Sequence, residues 1–341
     1  MVITRQPSTR PVPGLPAIYV AHFADAVLGQ PHQQDALMRE AGLSPGDFHP
    51  ERRIPLAQVL ALVATIDAQA RPGWHIEPAL ALEAAHHGPV GIAVGSAPTI
   101  GHALEALTRF EPLRISFAAL HCRLDEHSWS ARVLPLIDPE GPWELLLEIH
   151  LLSLAGLLER LLGGHSRQLA LRMPSLYRPW RPALMARFGS RLRFGGHHYQ
   201  LQLPVSTMEL PCRLASAEMH GDALARCEQL LGQEAETSPL ATQVRARLLA
   251  ADGQLPSIEE MAREFCCSSR TLTRRLGEAG TTYRQLVDNT RRMLAADLLR
   301  RSDHTISEIA DQLGYRDLAN FGRACRRWFG VSPGALQRGH G

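Results

Sequence analysis

The sequence predicts a two-part chain: an α+β domain with helices on a small, mostly antiparallel sheet, then an all-α domain of two short helix pairs joined by a long helix. Three observations lead there. Apolar and polar residues alternate on both sides of Asp125 to His127, inside a region otherwise spaced for helices. Two capped and interrupted amphipathic stretches recur about 48 residues apart, counted from Ser257 to Thr305. Charge is also uneven: residues 1–239 hold 20 Arg against 23 Asp and Glu, a net −3, whereas residues 240–341 hold 16 Arg against 11 acids, a net +5.

At 341 residues the chain is long enough for two or three separate cores, and its 45% hydrophobic and 21% charged residues are those of a globular protein. The most apolar run, Trp143 to Leu162, carries Glu144, Glu148, Glu159 and Arg160, so a buried amphipathic helix is expected there rather than a membrane span. Residues 1–16, with Arg5, Arg10 and four prolines, lack the apolar centre of a signal peptide and read as a flexible leader of a cytoplasmic protein. Six cysteines show neither a CxxC nor a paired zinc spacing, which predicts reduced, packed thiols. The chain has no lysine, so its arginine content alone says nothing about phosphate binding.

Taken in order, Ile18 to Leu28, Gln33 to Ala41 and Leu56 to Ala70 have helical spacing, with Pro55 as a start signal for the third. Thr99 caps the next helix, "TIGHALEALTRF". The alternating run "SFAALHCRLDEHSWSARVLPL" predicts a hairpin, followed by the long helix at Trp143. "RQLALRMP" reads as a strand, Pro182 to Phe188 as a short helix, and "RLRFGGHHYQLQLP" as strand with a Gly-Gly turn or bulge. Leu214 to Leu231 closes this part as a helix.

The last hundred residues carry the sharper signals. Ser257 with Glu260 forms a capping box: the hydroxyl takes one orphan amide while the carboxylate reaches back for another. Ile258, Met261, Ala262 and Phe265 mark a buried face, and a second helix restarts at Ser268 or Ser269 with Leu272 and Leu276 inward. Arg270, Thr273 and Arg274 then face outward, and Gly280 stands where a left-handed cap belongs. The plan repeats with the box Thr305/Glu308, the stripe Ile306, Ile309, Ala310 and Leu313, and a turn at Gly314. Its second helix buries Phe321, Cys325, Trp328 and Phe329, and leaves Ala319, Gly322, Arg323 and Arg326 outward. Two helix-turn-helix units, 257–278 and 305–329, follow from this repetition. Between them Tyr283 to Arg301, capped by Thr282 and Gln285, predicts a helix of about 28 Å at roughly 1.5 Å per residue. One duplex turn is about 34 Å, so one chain could set two helices into successive major grooves.

The run "ISEIADQLGYRDLANFGRACRRWFGVSP" resembles the signature of AraC/XylS-type transcription regulators, and "SSRTLTRRLGEAGTTYRQLVDNTRRMLAADLL" resembles their first reading unit and connecting helix. By that resemblance Ser269, Arg270, Thr273, Arg274, Arg316, Ala319, Asn320, Gly322, Arg323 and Arg326 occupy positions that approach bases or flanking phosphates. Cys325 stands where the family usually has Phe, and Ala319 and Gly322 are small where polar residues are common. Arg323 is therefore the expected main base contact of the second reader. "AGLSPGDF", "RIPLAQVLALV", "HGPVGIAVGSAPTIGHALEALTRF" and "YQLQLPVSTMELPCRL" are similar to the arabinose-binding-like N-terminal domain of one branch of this family. That likeness implies an effector-sensing, self-associating domain at 17–235 ahead of a DNA-binding domain at 236–341, with a small-molecule effector, a homodimer, promoter DNA and RNA polymerase as partners. It implies activation more than repression.

The alternative is an enzyme tethered to DNA. No GxSxG, P-loop or dinucleotide fingerprint supports it. His86-His87 and His197-His198 lack a carboxylate at ligand spacing, and neighbours in a strand would point to opposite faces, so neither a metal nor a cofactor is expected. Cys122 on the hairpin reads as a packed thiol. The sequence names no residue of an effector pocket.

Overall fold

The computed structural model describes residues 14–28, 41–43, 52–136, 143–174, 179–195, 199–237, 240–249, 251, 255–299, 305–315 and 317–338. The chain divides into two compact units, Val12–Glu234 and one that contains Ala235–Gly341. Within the first, β1 (Gly14–Pro16) leads into α1 (Ala17–Leu28) and pairs antiparallel with β2 (Arg53–Pro55), which leads into α2 (Leu56–Gln69). The leader expected to run to Pro16 is thus corrected at its last three residues, which are buried in this pairing. The helix expected over Gln33 to Ala41 lies, but for Ala41, outside the described residues.

Two helices follow that the spacing did not announce, α3 (Ile76–Ala81) and α4 (Gly88–Gly95), linked by a 3-10 turn at Ala84–His87. α4 is GPVGIAVG, apolar or glycine throughout, so it has no periodicity to read. The strand geometry invoked for His86 and His87 is likewise replaced by this turn. Then come α5 (Ile100–Phe110), capped by Thr99 as expected, and the hairpin β3 (Ala118–Leu124) and β4 (Ser128–Pro135). Asp125 makes the hairpin tip by accepting the His127 and Ser128 amides at 2.9 and 2.8 Å. α6 (Trp143–Leu162) is the central helix. All its residues except Glu144, Glu159 and Arg160 are buried, so it is enclosed on every side rather than amphipathic.

The unit closes with β5 (Ala170–Met173), α7 (Arg181–Phe188), β6 (Leu192–Phe194), β7 (Tyr199–Pro204) and α8 (Ala217–Thr237). The five strands lie in the order β3-β4-β7-β5-β6, antiparallel except for the parallel pair β5–β6. His197 and His198 lie outside the described residues. One cluster of buried side chains unites the helices and this mixed sheet.

The second unit is helical: α9 (Leu240–Leu249), α10 (Ile258–Glu264), α11 (Ser269–Glu278), α12 (Tyr283–Leu299), α13 (Ile306–Gln312), α14 (Leu318–Phe329) and α15 (Pro333–Arg338). Both capping boxes form. The Ser257 hydroxyl accepts the Glu260 amide at 3.2 Å while Glu260 accepts the Ser257 amide at 2.7 Å, and Thr305 with Glu308 repeats both distances. α12 has 17 residues, about 25 Å at roughly 1.5 Å each, slightly shorter than expected. It serves two cores. Leu286 packs with Val244, Leu248, Met261, Leu272 and Leu276, whereas Ala295, Leu298 and Leu299 pack with Ile309, Leu313, Phe321 and Cys325.

The turns inside the two pairs have the same hydrogen bonds on different residues. Gly314, at φ 71°, donates to Asp311 O, and Tyr315 donates to Ala310 O at 2.9 Å. In the first pair Cys266 takes the left-handed position at φ 49°, donating to Arg263 O, and Cys267 donates to Ala262 O at 2.9 Å. A side chain in that conformation costs about 1–2 kcal/mol, which glycine does not incur. Cys266 is exposed, so Cys266→Gly forfeits little packing. Chemical denaturation should find that variant about 1 kcal/mol more stable; a loss of stability would refute the strain reading.

Candidate functional site

α11 and α14 each present one buried and one exposed face. On α11, Leu272 and Leu276 are buried while Arg270, Thr273 and Arg274 are exposed and Ser269 is half-buried. The Thr273 hydroxyl donates to Ser269 O at 2.8 Å, which fixes its rotamer on the helix surface. Arg274 pairs with Glu278 at 2.5 Å with both side chains largely in solvent, so releasing the guanidinium costs only about 0.2–1 kcal/mol. Arg270 makes no hydrogen bond or ion pair with any described residue.

On α14, Phe321 and Cys325 are buried while Ala319, Asn320, Arg323 and Arg326 are exposed. Gly322 is itself covered by its neighbours, but a Cβ added there would meet nothing within 4 Å. Its direction is therefore outward, as expected, although its atoms are not. Asp317 caps the helix, accepting the Asn320 amide at 2.7 Å and the Asn320 side chain at 2.5 Å; Arg323 then donates to Asn320 Oδ1 at 2.6 Å. This chain orients Arg323 along the exposed face. Arg327 instead turns back to Asp288 on α12, which also accepts the Trp328 indole at 3.0 Å, so it ties α14 to the connecting helix. Arg316 lies outside the described residues.

The first unit contains a cavity of about 80 Å³. Its walls are apolar, from residues such as Val20, Phe23, Val63, Val94, Leu146 and Leu154. Polar groups gather at few points. Tyr19 Oη and His87 Nδ1 are 2.8 Å apart, and Arg114 donates from Nε to Tyr19 Oη at 3.4 Å and from Nη2 to His86 O at 2.9 Å. The Arg114 guanidinium also lies over the Tyr19 ring, 5.3 Å from its centre. Glu111 and His150 make a buried pair at 2.9 Å. Burial, with Arg114 next, pushes the His87 imidazole down to about 3, so it is neutral at neutral pH. Burial also pushes the Glu111 carboxyl up.

No group of three His, Cys, Asp or Glu side chains among the described residues is gathered to hold a metal ion. The Cys122 thiol accepts from Thr108 Oγ1 at 3.2 Å, and burial pushes it up to about 11, away from the reactive thiolate. No helix among the described residues is long and apolar enough to cross a membrane.

Two helix-turn-helix units in one chain with an α+β unit are the architecture of a DNA-binding transcription regulator. Residues 32–212 match the family described as the arabinose-binding domain of AraC transcription regulator, N-terminal, and residues 261–339 match a helix-turn-helix domain family. The "Ornithine utilization regulator" of Pseudomonas aeruginosa is 31% identical over 331 residues, 94% of this chain and 95% of that protein. The "HTH-type transcriptional regulator VirS" of Mycobacterium tuberculosis is 30% identical over 256 residues, 72% of this chain and 73% of that one. The solved structure of "transcriptional regulator CdpR from Pseudomonas aeruginosa" covers 94% of this chain and 98% of its own at 23% identity and a TM-score of 0.42. The chain belongs to the AraC family of transcription regulators, with an effector-binding domain ahead of its DNA-binding domain, and is not an enzyme.

Proposed function

We propose that this regulator is an activator in which residues 17–235 bind a small effector and pair two subunits, while residues 236–341 read a promoter through α11 and α14. The supporting observation is the duplicated pair of capped helices built on one continuous α12, each with exposed arginines on its second helix. A connecting helix of about 25 Å suits two readers on one face of a duplex whose turn is about 34 Å. Ser269, Arg270, Thr273, Arg274, Arg316, Ala319, Asn320, Gly322, Arg323 and Arg326 are the proposed contact positions, with Arg274 and Arg323 on bases and Arg326 on phosphate. The protein works in the cytoplasm with RNA polymerase as its partner on the promoter. The similarity to a regulator of ornithine utilization is a reason to include amino-acid metabolites in the effector screen. The route between effector and DNA runs through the segment 236–257. Its middle is α9, whose Val244 and Leu248 sit in the first reader's core.

Electrophoretic mobility shifts across a panel of operator variants and salt concentrations test the contacts. Arg274→Ala should cost roughly 1–3 kcal/mol at the base pair it reads and little at variants already altered there. Arg326→Ala should weaken every sequence alike and reduce the salt slope by about one. Uniform losses for Arg274→Ala would remove it from the base contacts.

A further inference from the structure

We infer that the effector is a small monocarboxylate with a short apolar tail, its carboxylate held by Arg114 and His87 and its tail lying in the cavity of the first unit. This deepens the effector-sensing reading and rests on it.

Charge supplies the first argument. Arg114 is half-buried at the cavity wall, and among the described residues no carboxylate pairs with it; its partners are the Tyr19 hydroxyl and the His86 carbonyl, both uncharged. The nearby Glu111 carboxylate is engaged by His150 at 2.9 Å rather than by Arg114, and burial pushes its carboxyl up, toward the uncharged form. A partly desolvated cation facing an apolar space is best satisfied by an anion that brings its own apolar surface.

Hydrogen-bond direction supplies the second. Arg114 has only donors, so Tyr19 Oη accepts from it and directs its own hydrogen to His87 Nδ1. A neutral imidazole that accepts at Nδ1 must carry its proton on Nε2. That Nε2 is fully buried and has no hydrogen-bond partner among the described residues, while His87 lines the cavity. The relay from Arg114 through Tyr19 therefore leaves one unused buried donor near the unused charge, and a carboxylate supplies acceptors for both.

Volume limits the tail. A cavity of about 150 Å³ accepts benzene, and this one is about 80 Å³, which corresponds to roughly three to five carbons beyond the carboxylate. A sugar would set several hydroxyls against walls with no partners, and a diamine would set positive charge beside Arg114.

The test is a thermal-shift and calorimetric titration of the full chain with butyrate, isovalerate, hexanoate and decanoate, alongside hexanamide, hexanol and hexylamine. The short acids are expected to raise the Tm and decanoate to raise it less. The amide, alcohol and amine should leave it unchanged. Arg114→Gln should weaken hexanoate roughly tenfold or more, and His87→Phe, which keeps the volume and removes the donor, should weaken it less. Should either variant misfold, the acid-against-amide comparison in the unaltered protein decides the matter alone. Equal stabilisation by the amide or amine, no shift with any acid, or unchanged affinity in folded Arg114→Gln overturns the assignment; a larger shift with decanoate overturns its size limit. Operator binding measured with the same ligands separates the two readings. A non-anionic compound that changes both Tm and DNA affinity leaves the sensor standing without this ligand class, whereas binding of an acid that leaves DNA affinity and dimerisation unaltered supports the pocket and removes the sensor.

Discussion

Gly156→Ala is expected to unfold the first unit at temperatures where the unaltered chain is stable, with a loss of about 3 kcal/mol or more. Gly156 sits in the middle of α6, where α6 crosses α3. A Cβ there would lie 2.4 Å from Leu80 O and 2.9 Å from Leu80 Cα, closer than side chains approach backbone, and neither atom belongs to a flexible group that could step aside. Leu80 O is already an acceptor for Arg160 at 2.8 Å, one helical turn beyond Gly156. The same guanidinium reaches Leu82 O, so it clamps the end of α3. The methyl would push α3 off α6, stretch both Arg160 contacts and open the core beneath Leu80 and Leu151. Overpacking of this kind ordinarily costs about 1–3 kcal/mol, and the lost carbonyl contacts add to it. Tryptophan fluorescence during denaturation reports mainly on this unit, because Trp74, Trp129, Trp143 and Trp180 belong to it and only Trp328 does not. Gly164→Ala, where an added Cβ meets nothing, is the control and should be silent. A midpoint for Gly156→Ala equal to that of the control would show that α3 yields freely.

The second large effect is acid destabilisation carried by His87. Its folded pKa, about 3, lies below the ordinary 6.5. Above pH 6.5 neither folded nor unfolded chain is protonated there, and His87 contributes no pH dependence. Between about 6.5 and 3 the unfolded chain takes a proton that the folded chain refuses, so stability falls as the pH falls, by about 1.4 kcal/mol per unit. From pH 7.0 to 4.5 that amounts to roughly 2–3 kcal/mol. Glu111 acts in the opposite sense, since a raised carboxyl pKa makes the folded state the better proton binder in acid. The useful quantity is therefore the difference between the unaltered chain and His87→Gln. The variant should lose less stability across that interval by about 2 kcal/mol. Parallel pH profiles for the two proteins would mean that His87 is protonated in the folded state after all.

What could be read from the chain follows the range of the interactions that write it. Capping boxes, the Asp125 hairpin tip and the left-handed glycines at 280 and 314 act over three to five residues, and each was visible in sequence. Buried spacing in α11 and α14 was visible for the same reason. The cavity was not, because Tyr19, His87, the Glu111–Arg114 turn and His150 come from four places in the chain and meet only when α6 is enclosed. Nor was Asp317, which makes its cap within a segment read as a turn, or Cys266, because a left-handed conformation is announced by glycine and here none is present. Helices α3 and α4 escaped because one is short with an internal proline and the other lacks any polar residue to set a period.

The continuity of α12 turns residue count into an angle. Each residue of a helix advances the chain by about 1.5 Å and 100°. Adding one residue between Leu286 and Ala295 would swing the second core around the axis by slightly more than a right angle, about 100°, and no loop lies between the two anchor points to absorb it. A base pair inserted between half-sites turns duplex DNA by only about 34–36°. The protein's smallest step is thus coarser than the DNA's, and no single insertion in α12 can follow a single insertion in a promoter. Under the proposed reading of DNA by α11 and α14, the length of α12 therefore fixes the spacing between the two half-sites.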